Sequence, residues 1–167
     1  IDRLPKIDCA QSERSAAIVG TIAKLETGDS KLGGVDWSCV EVEMVQATTI
    51  ADSISVDVPR DGLAAVRAVV ESGGEAVTVS DEDILAAIPE LARGAGVFAE
   101  PAAACAWACT KKLAREGKIK PDERVVCLIT GNGLKDVASA RKAAGEPVVI
   151  DPTPEAASAA LHHLGVK

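Results

Sequence analysis

The sequence has no tyrosine, one phenylalanine (Phe98), two tryptophans (Trp37 and Trp107) and one methionine (Met44), so aromatics make up only 2% of its 167 residues. A core without rings must be assembled from Ala, Val, Ile and Leu, which suits helices packed on buried strands. Hydrophobic residues reach 47% and charged residues 26%, values that argue against global disorder. No apolar run approaches the roughly 18 residues of a membrane span. Residues 1–6 are charged and contain Pro5 instead of the apolar stretch of a secretory signal. Basic residues are outnumbered, 18 against 25 acidic, for a net charge of -7. That balance argues against nucleic acid or an acidic membrane as partner, since both need a basic footprint. The only histidines are His162 and His163, and the last turn of a solvated helix accounts for them. Neither a G-x-S-x-G nucleophile elbow nor a G-x-x-x-x-G-K-[ST] phosphate loop is present.

What is there suits one α/β domain over residues 1–167. Five cysteines (Cys9, Cys39, Cys105, Cys109 and Cys127) make a poor disulfide framework, being odd in number and irregular in spacing. They are expected to be small buried apolar residues in a reducing cytoplasm. Cys105 and Cys109 would share a helix face, yet no histidine lies near them in sequence, so no metal site is expected. The chain opens at Ile1 and its only methionine is Met44, which suggests a piece of something longer.

Along the chain, 7–10 reads as a short strand and 15–25 as a helix by its apolar period. The Gly-rich stretch 28–34 reads as loop. A turn at Pro59–Gly62 leads to a helix over 63–71 that Gly73 and Gly74 end. Residues 75–79 are β-prone. Ser80 then caps a helix running to about Arg93, with Asp81, Glu82 and Asp83 favouring its positive end. Pro101 can open an Ala-rich helix through Glu116. Residues 124–129 read as a strand buried on both faces, 147–150 as another short strand, and a last helix follows Thr153. The alternation of strand and helix implies a three-layer α/β sandwich with a mostly parallel sheet.

In such sheets ligands bind at the carboxyl ends of strands, where Gly-rich turns expose backbone N–H groups. The strand 124–129 delivers Thr130 at its tip, and Gly131, Asn132 and Gly133 follow, so that something can approach the backbone closely; a plain turn with a capping threonine fits the same residues. Glu100, before Pro101, sits at a helix start, where it either serves a site or merely complements the helix dipole. A third stretch, Thr48–Ile54, is rich in small residues.

These segments together resemble the C-terminal part of the threonine synthase family, pyridoxal-phosphate enzymes of the tryptophan-synthase-β fold type. The resemblance rests on 1–6, Thr49–Ile54, Val79–Ile84, Gly96–Ala102 and above all Leu128–Asp136, whose Thr-Gly-x-Gly-Leu-Lys-Asp pattern favours threonine synthase over its cousins. It implies the C-terminal part of the large domain of a fold type II enzyme. It also implies a cytoplasmic protein, a possible homodimer and an amino-acid substrate, O-phospho-L-homoserine. Sister lyases (threonine or serine dehydratase, cysteate synthase) and a non-catalytic ligand-binding or regulatory domain are the alternatives. Thr130 matches the hydroxyl that bonds the pyridine nitrogen of the cofactor, with Gly131, Asn132 and Gly133 turning beneath the ring. Glu100 matches a carboxylate beside it, and Thr49 and Ala51 a segment whose backbone lines it. The resemblance places the Schiff-base lysine and the Gly-rich phosphate loop upstream of Ile1, so no catalytic lysine is expected in these residues. Lys135 belongs to the matched motif in another role, and the chain alone is expected to bind the cofactor weakly and to be inactive.

Overall fold

The computed structural model describes residues 4–27 and 34–165; most of the Gly-rich stretch expected as a loop lies outside them. Two short strands, β1 (Cys9–Ser12) and β2 (Ala76–Val79), pair in parallel with Cys9 opposite Ala76 and Ser12 opposite Val79. Around them run α1 (Ala17–Thr27), α2 (Gly62–Ser72), α3 (Asp81–Ala95), α4 (Pro101–Arg115), α5 (Val137–Ala144) and α6 (Pro154–His163).

Successive strand residues point to opposite faces of a sheet, and here the two faces bury different helices. Cys9 and Ala76 pack with Ile22 of α1 and with Val66 and Val69 of α2. Ala10, Val77 and Val79 turn the other way, onto Ile84, Ala87 and Ile88 of α3 and Ala104, Ala108 and Leu113 of α4. The result is a parallel sheet between two helical layers, the α/β sandwich that the alternation of elements implied. No helix among the described residues is long and apolar enough to cross a membrane.

Local chemistry sets the helix ends. The Ser80 hydroxyl accepts from the Asp83 N–H at 3.1 Å and starts α3. Gly73 and Gly96 close α2 and α3 at φ 67° and 68°, left-handed backbone in which a β-carbon is strained. Pro101 occupies the first turn of α4, where its missing N–H would have had no partner.

Two expectations need correcting. Residues 124–129 and 147–150 are not strands of the described sheet, which holds β1 and β2 alone. Their β-branched composition favours extended backbone, but a strand also needs a neighbour to bond, and neither segment has one among the described residues. Nor is 124–129 buried on both faces: Val126 is 83% and Leu128 70% exposed. In addition α5, which the reading of the sequence left out, packs against α3. The cysteines divide as well. Cys105 and Cys109 are buried, Cys9 and Cys127 half-buried, and Cys39 is exposed, not buried as expected; all five are free. Burial, with Cys105 nearby, pushes the Cys9 thiol up to about 11.

Ile84 is fully buried between the sheet and α4. Ile84→Ala should therefore lower unfolding free energy by about 2–5 kcal/mol and Ile84→Val by about 0.5–1.5 kcal/mol, read as a shift in the urea midpoint with unchanged slope.

Candidate functional site

A carboxylate at a helix start normally accepts from the free N–H groups there. Glu100 does not: its side chain makes no cap bond and is turned away from α4. It is 5% exposed, and a carboxylate that dry must find donors. Its Oε1 accepts from Lys135 Nζ at 2.9 Å and its Oε2 from Ser53 Oγ at 3.3 Å. The main chain reinforces the contact. Glu100 N–H donates to the Gly131 carbonyl at 3.0 Å, and Gly133 N–H to the Phe98 carbonyl at 2.9 Å. Ala99 and Asn132 thereby pair as an isolated antiparallel bridge.

That approach explains the two glycines. A β-carbon on Gly131 would lie 1.7 Å from Glu100 Oε1, and one on Gly133 would lie 2.3 Å from the Phe98 ring. The expectation that something comes close to this backbone holds, but the something is the protein's own Glu100 and Phe98. Asn132 shapes the turn: its Oδ1 accepts from Leu134 N–H at 2.9 Å, opening a 3-10 turn over Gly133–Lys135 that carries Lys135 back to Glu100. Thr130, two residues before the bridge, is exposed, and its hydroxyl has no hydrogen-bond partner among the described residues.

Thr49 and Ala51 belong to a neighbouring knot around Asp81, in the first turn of α3. Asp81 is buried, and its Oδ1 accepts from Thr49 Oγ1 at 2.5 Å and Ser12 Oγ at 3.1 Å. Its Oδ2 accepts from Ile50 N–H at 3.2 Å, with Arg14 Nε at 3.9 Å. Ala51 N–H donates to Thr49 Oγ1 at 3.2 Å. The hydrogen-bonding groups of this segment are thus turned inward, and Thr49 and Ala51 are themselves buried. Ala51 packs in the same core cluster as Ala99, and Ser53 brings the segment to Glu100.

The structure therefore gathers Glu100, Gly131, Asn132 and Gly133, with Thr130 adjoining and Ala51 nearby, and sends the Thr49 hydroxyl elsewhere. Sequence reasoning missed Ser53 and Asp81, the latter read only as part of a helix-start acidic cluster. Its burial has no local signature, because the hydroxyls that satisfy it come from distant segments. The partner of Lys135 was also unforeseen.

A cofactor ring could meet this cluster along one edge. Thr130 is exposed there with its hydroxyl unpartnered among the described residues, and the buried Glu100 carboxylate packs on the next residue, Gly131. Of the backbone N–H groups at this turn, those of Glu100, Gly133 and Leu134 are engaged within the protein.

Comparison with known proteins bears on what such an edge serves. Residues 3–131 match the family described as pyridoxal-phosphate dependent enzymes. The chain is 38% identical over 151 residues to a threonine synthase of Methanocaldococcus jannaschii, an alignment covering 90% of this chain and 34% of that protein. It is 39% identical over 150 residues to a threonine synthase of Methanosarcina acetivorans, with 90% and 34% covered. Against that of Halalkalibacterium halodurans it is 48% identical over 88 residues, covering 53% and 25%. The chain thus spans about a third of the length of the first two relatives, or less.

Two outcomes follow from the geometry. Lys135→Met, which leaves the buried carboxylate with one donor, should cost about 1–3 kcal/mol in urea unfolding, and Lys135→Arg should recover much of it. Asp136 accepts from Ser139 N–H at 2.9 Å and caps α5, and Ser139, through its hydroxyl and then its N–H, holds the Asp136 carboxyl below the usual range. A lowered carboxyl value contributes stability above the unfolded value of about 3.9 and loses it as pH falls through the folded one. Asp136→Ala should accordingly be about 1 kcal/mol less stable near neutral pH, with the gap to wild type closing on acidification.

Proposed function

The chain belongs to the pyridoxal-phosphate-dependent enzyme family, and from that premise we propose that it works within a threonine-synthase-like enzyme, as the part that holds the pyridine-nitrogen edge of the cofactor. The reaction would convert O-phospho-L-homoserine and water to threonine and phosphate. The observation that carries the reading is the exposed Thr130, its hydroxyl without a partner among the described residues, at the start of a turn whose Gly131 packs on the buried Glu100 carboxylate. Bound pyridoxal phosphate supplies an electron sink for bond-breaking at the α and β carbons of an amino acid.

The residues of this chain set the conditions for that chemistry. Thr130 would hold the ring nitrogen with a hydrogen bond and, being neutral, would not keep a proton there as an aspartate would, a setting that suits elimination and replacement. Glu100, pinned in position by Lys135 and Ser53, would stand beside the ring. Asn132 holds the turn in register, and the buried stretch from Thr49 to Ala51 supports Ser53, which bonds Glu100. Lys135 is not the lysine that carries the cofactor, because its ammonium is committed to Glu100 at 2.9 Å. The carrier lysine and the phosphate loop are supplied from outside these 167 residues, so the isolated chain gives no turnover.

The test is a chimera. Residues 4–165 replace the aligned third of the Methanocaldococcus jannaschii enzyme, and phosphate release from O-phosphohomoserine is followed. The chimera should turn over, the isolated chain should not, and Thr130→Ala in the chimera should lower kcat by about tenfold or more, the effect of roughly 1.4 kcal/mol at the transition state. A folded chimera that binds cofactor yet releases no phosphate, or turnover by the isolated chain, would overturn the proposal.

A further inference from the structure

Glu100 takes one of its two side-chain donors from an exposed residue, Ser53, at 3.3 Å. An O–H···O bond ordinarily spans about 2.5–3.0 Å, so this one is weak and a small further displacement breaks it. Little packing fixes an exposed serine, and its place is that of the backbone beneath it, the 3-10 turn Asp52–Ile54. That backbone is tied down from both ends by groups away from Glu100. On the near side, Asp81 accepts from Thr49 Oγ1 at 2.5 Å and from Ile50 N–H at 3.2 Å, and the Thr49 hydroxyl accepts in turn from Ala51 N–H. On the far side, the buried Ser15 hydroxyl donates to the Ile54 carbonyl at 2.8 Å. Ala51, between the two ties, is fully buried in the cluster that holds Ala99.

We propose that Asp81 is a positioning residue for the cofactor edge: by holding Thr49 and Ile50 it sets where Ser53 stands, and through Ser53 it sets the Glu100 carboxylate. The proposal rests on the role given above to Glu100 and Thr130 at that edge. Among the described residues Asp81 makes no hydrogen bond or ion pair with Glu100 or with 130–135; its partners are Ser12, Arg14, Thr49 and Ile50. Its influence therefore passes along the chain from Thr49 to Ser53. When that path slackens, the buried Glu100 carboxylate keeps Lys135 alone and is free to turn away from Ser53. Transmission through a single hydroxyl has a signature: cutting the tie at Thr49 and removing the Ser53 hydroxyl are not additive. A carboxylate that served only the positive end of α3 would cost stability without moving Glu100.

Asp81→Ala would strand two buried hydroxyls, so the tie is better cut at Thr49→Val, which keeps the shape and leaves Asp81 with Ser12 and Ile50. The first readout is amide exchange at Gly133 in the 167-residue chain, taken relative to the buried amides of α4. Thr49→Val should raise that ratio by about threefold or more, and Thr49→Ser should return it to the wild-type value. Asp81→Asn, which keeps the volume and removes the charge, should raise it as well. Ile84→Val, which removes buried contacts off this path, should leave it unchanged. The second readout is kcat in the chimera with the Methanocaldococcus jannaschii enzyme. Thr49→Val and Ser53→Ala should each lower kcat by about threefold to tenfold, the double variant no further than Ser53→Ala alone, and Ile84→Val by less than about twofold. An unmoved exchange ratio in Thr49→Val or Asp81→Asn, a loss that Thr49→Ser does not restore, or additive losses in the double variant would overturn the proposal. A folded wild-type chimera without turnover would overturn the cofactor reading instead, and the exchange ratio then decides whether Asp81 positions Glu100.

Discussion

A carboxylate cannot be left dry and unpaired, and Glu100 meets that constraint by drawing three segments of the chain to one point. Ser53 reaches it from the turn after Thr49, Lys135 from the turn after Gly133, and Glu100 itself sits where the Phe98–Glu100 stretch becomes α4. The ammonium of Lys135 is half exposed and the carboxylate is not, so the pair is anchored on one side and solvated on the other. Much of the local covalent design follows. Gly131 is glycine because the carboxylate lies where its side chain would be, and Gly133 is glycine because Phe98 does.

Asp81 repeats the device one helix away. It sits in the first turn of α3 and collects the hydroxyls of Ser12 and Thr49, much as Glu100, at the start of α4, collects Ser53. The stretch from Thr49 to Ser53 is therefore moored at both ends by hydroxyl groups on buried carboxylates. Between the moorings its backbone bonds are local, Ala51 N–H to Thr49 Oγ1 and Ile54 N–H to the Ala51 carbonyl. A segment held this way keeps its shape without belonging to a long helix or a strand, and it fixes Ser53 against Glu100.

Much of this was legible in the amino acids. The apolar period gave α1, and Ser80 and Pro101 marked the starts of α3 and α4, because caps and fixed φ act over one turn and leave a local trace. The α/β class followed from alternation, and Glu100 and Gly131–Gly133 stood out by composition. The strands at 124–129 and 147–150 were overread for a physical reason: β-branched residues report that extended backbone is favoured, not that a neighbouring edge is present. Ser53 and Asp81 were illegible because their roles depend on partners 47 and 32 residues away in sequence. The same holds for Lys135, whose spacing from Asn132 is local but whose partner is not. A role for Thr130 came only as what the family resemblance implies, and the structure adds that the residue is exposed at the start of the turn that packs on Glu100.

The central claim is that the Glu100 carboxylate holds the 130–135 turn in place. Amide exchange at Gly133, whose N–H is bonded to the Phe98 carbonyl, measures it most directly in wild type and in Glu100→Ala. The account predicts that Gly133 is protected in wild type and exchanges at least about tenfold faster in the variant, a loss of roughly 1.4 kcal/mol of local stability, while the buried amides of α3 keep their rates. Equal protection of Gly133 in the two proteins would contradict it.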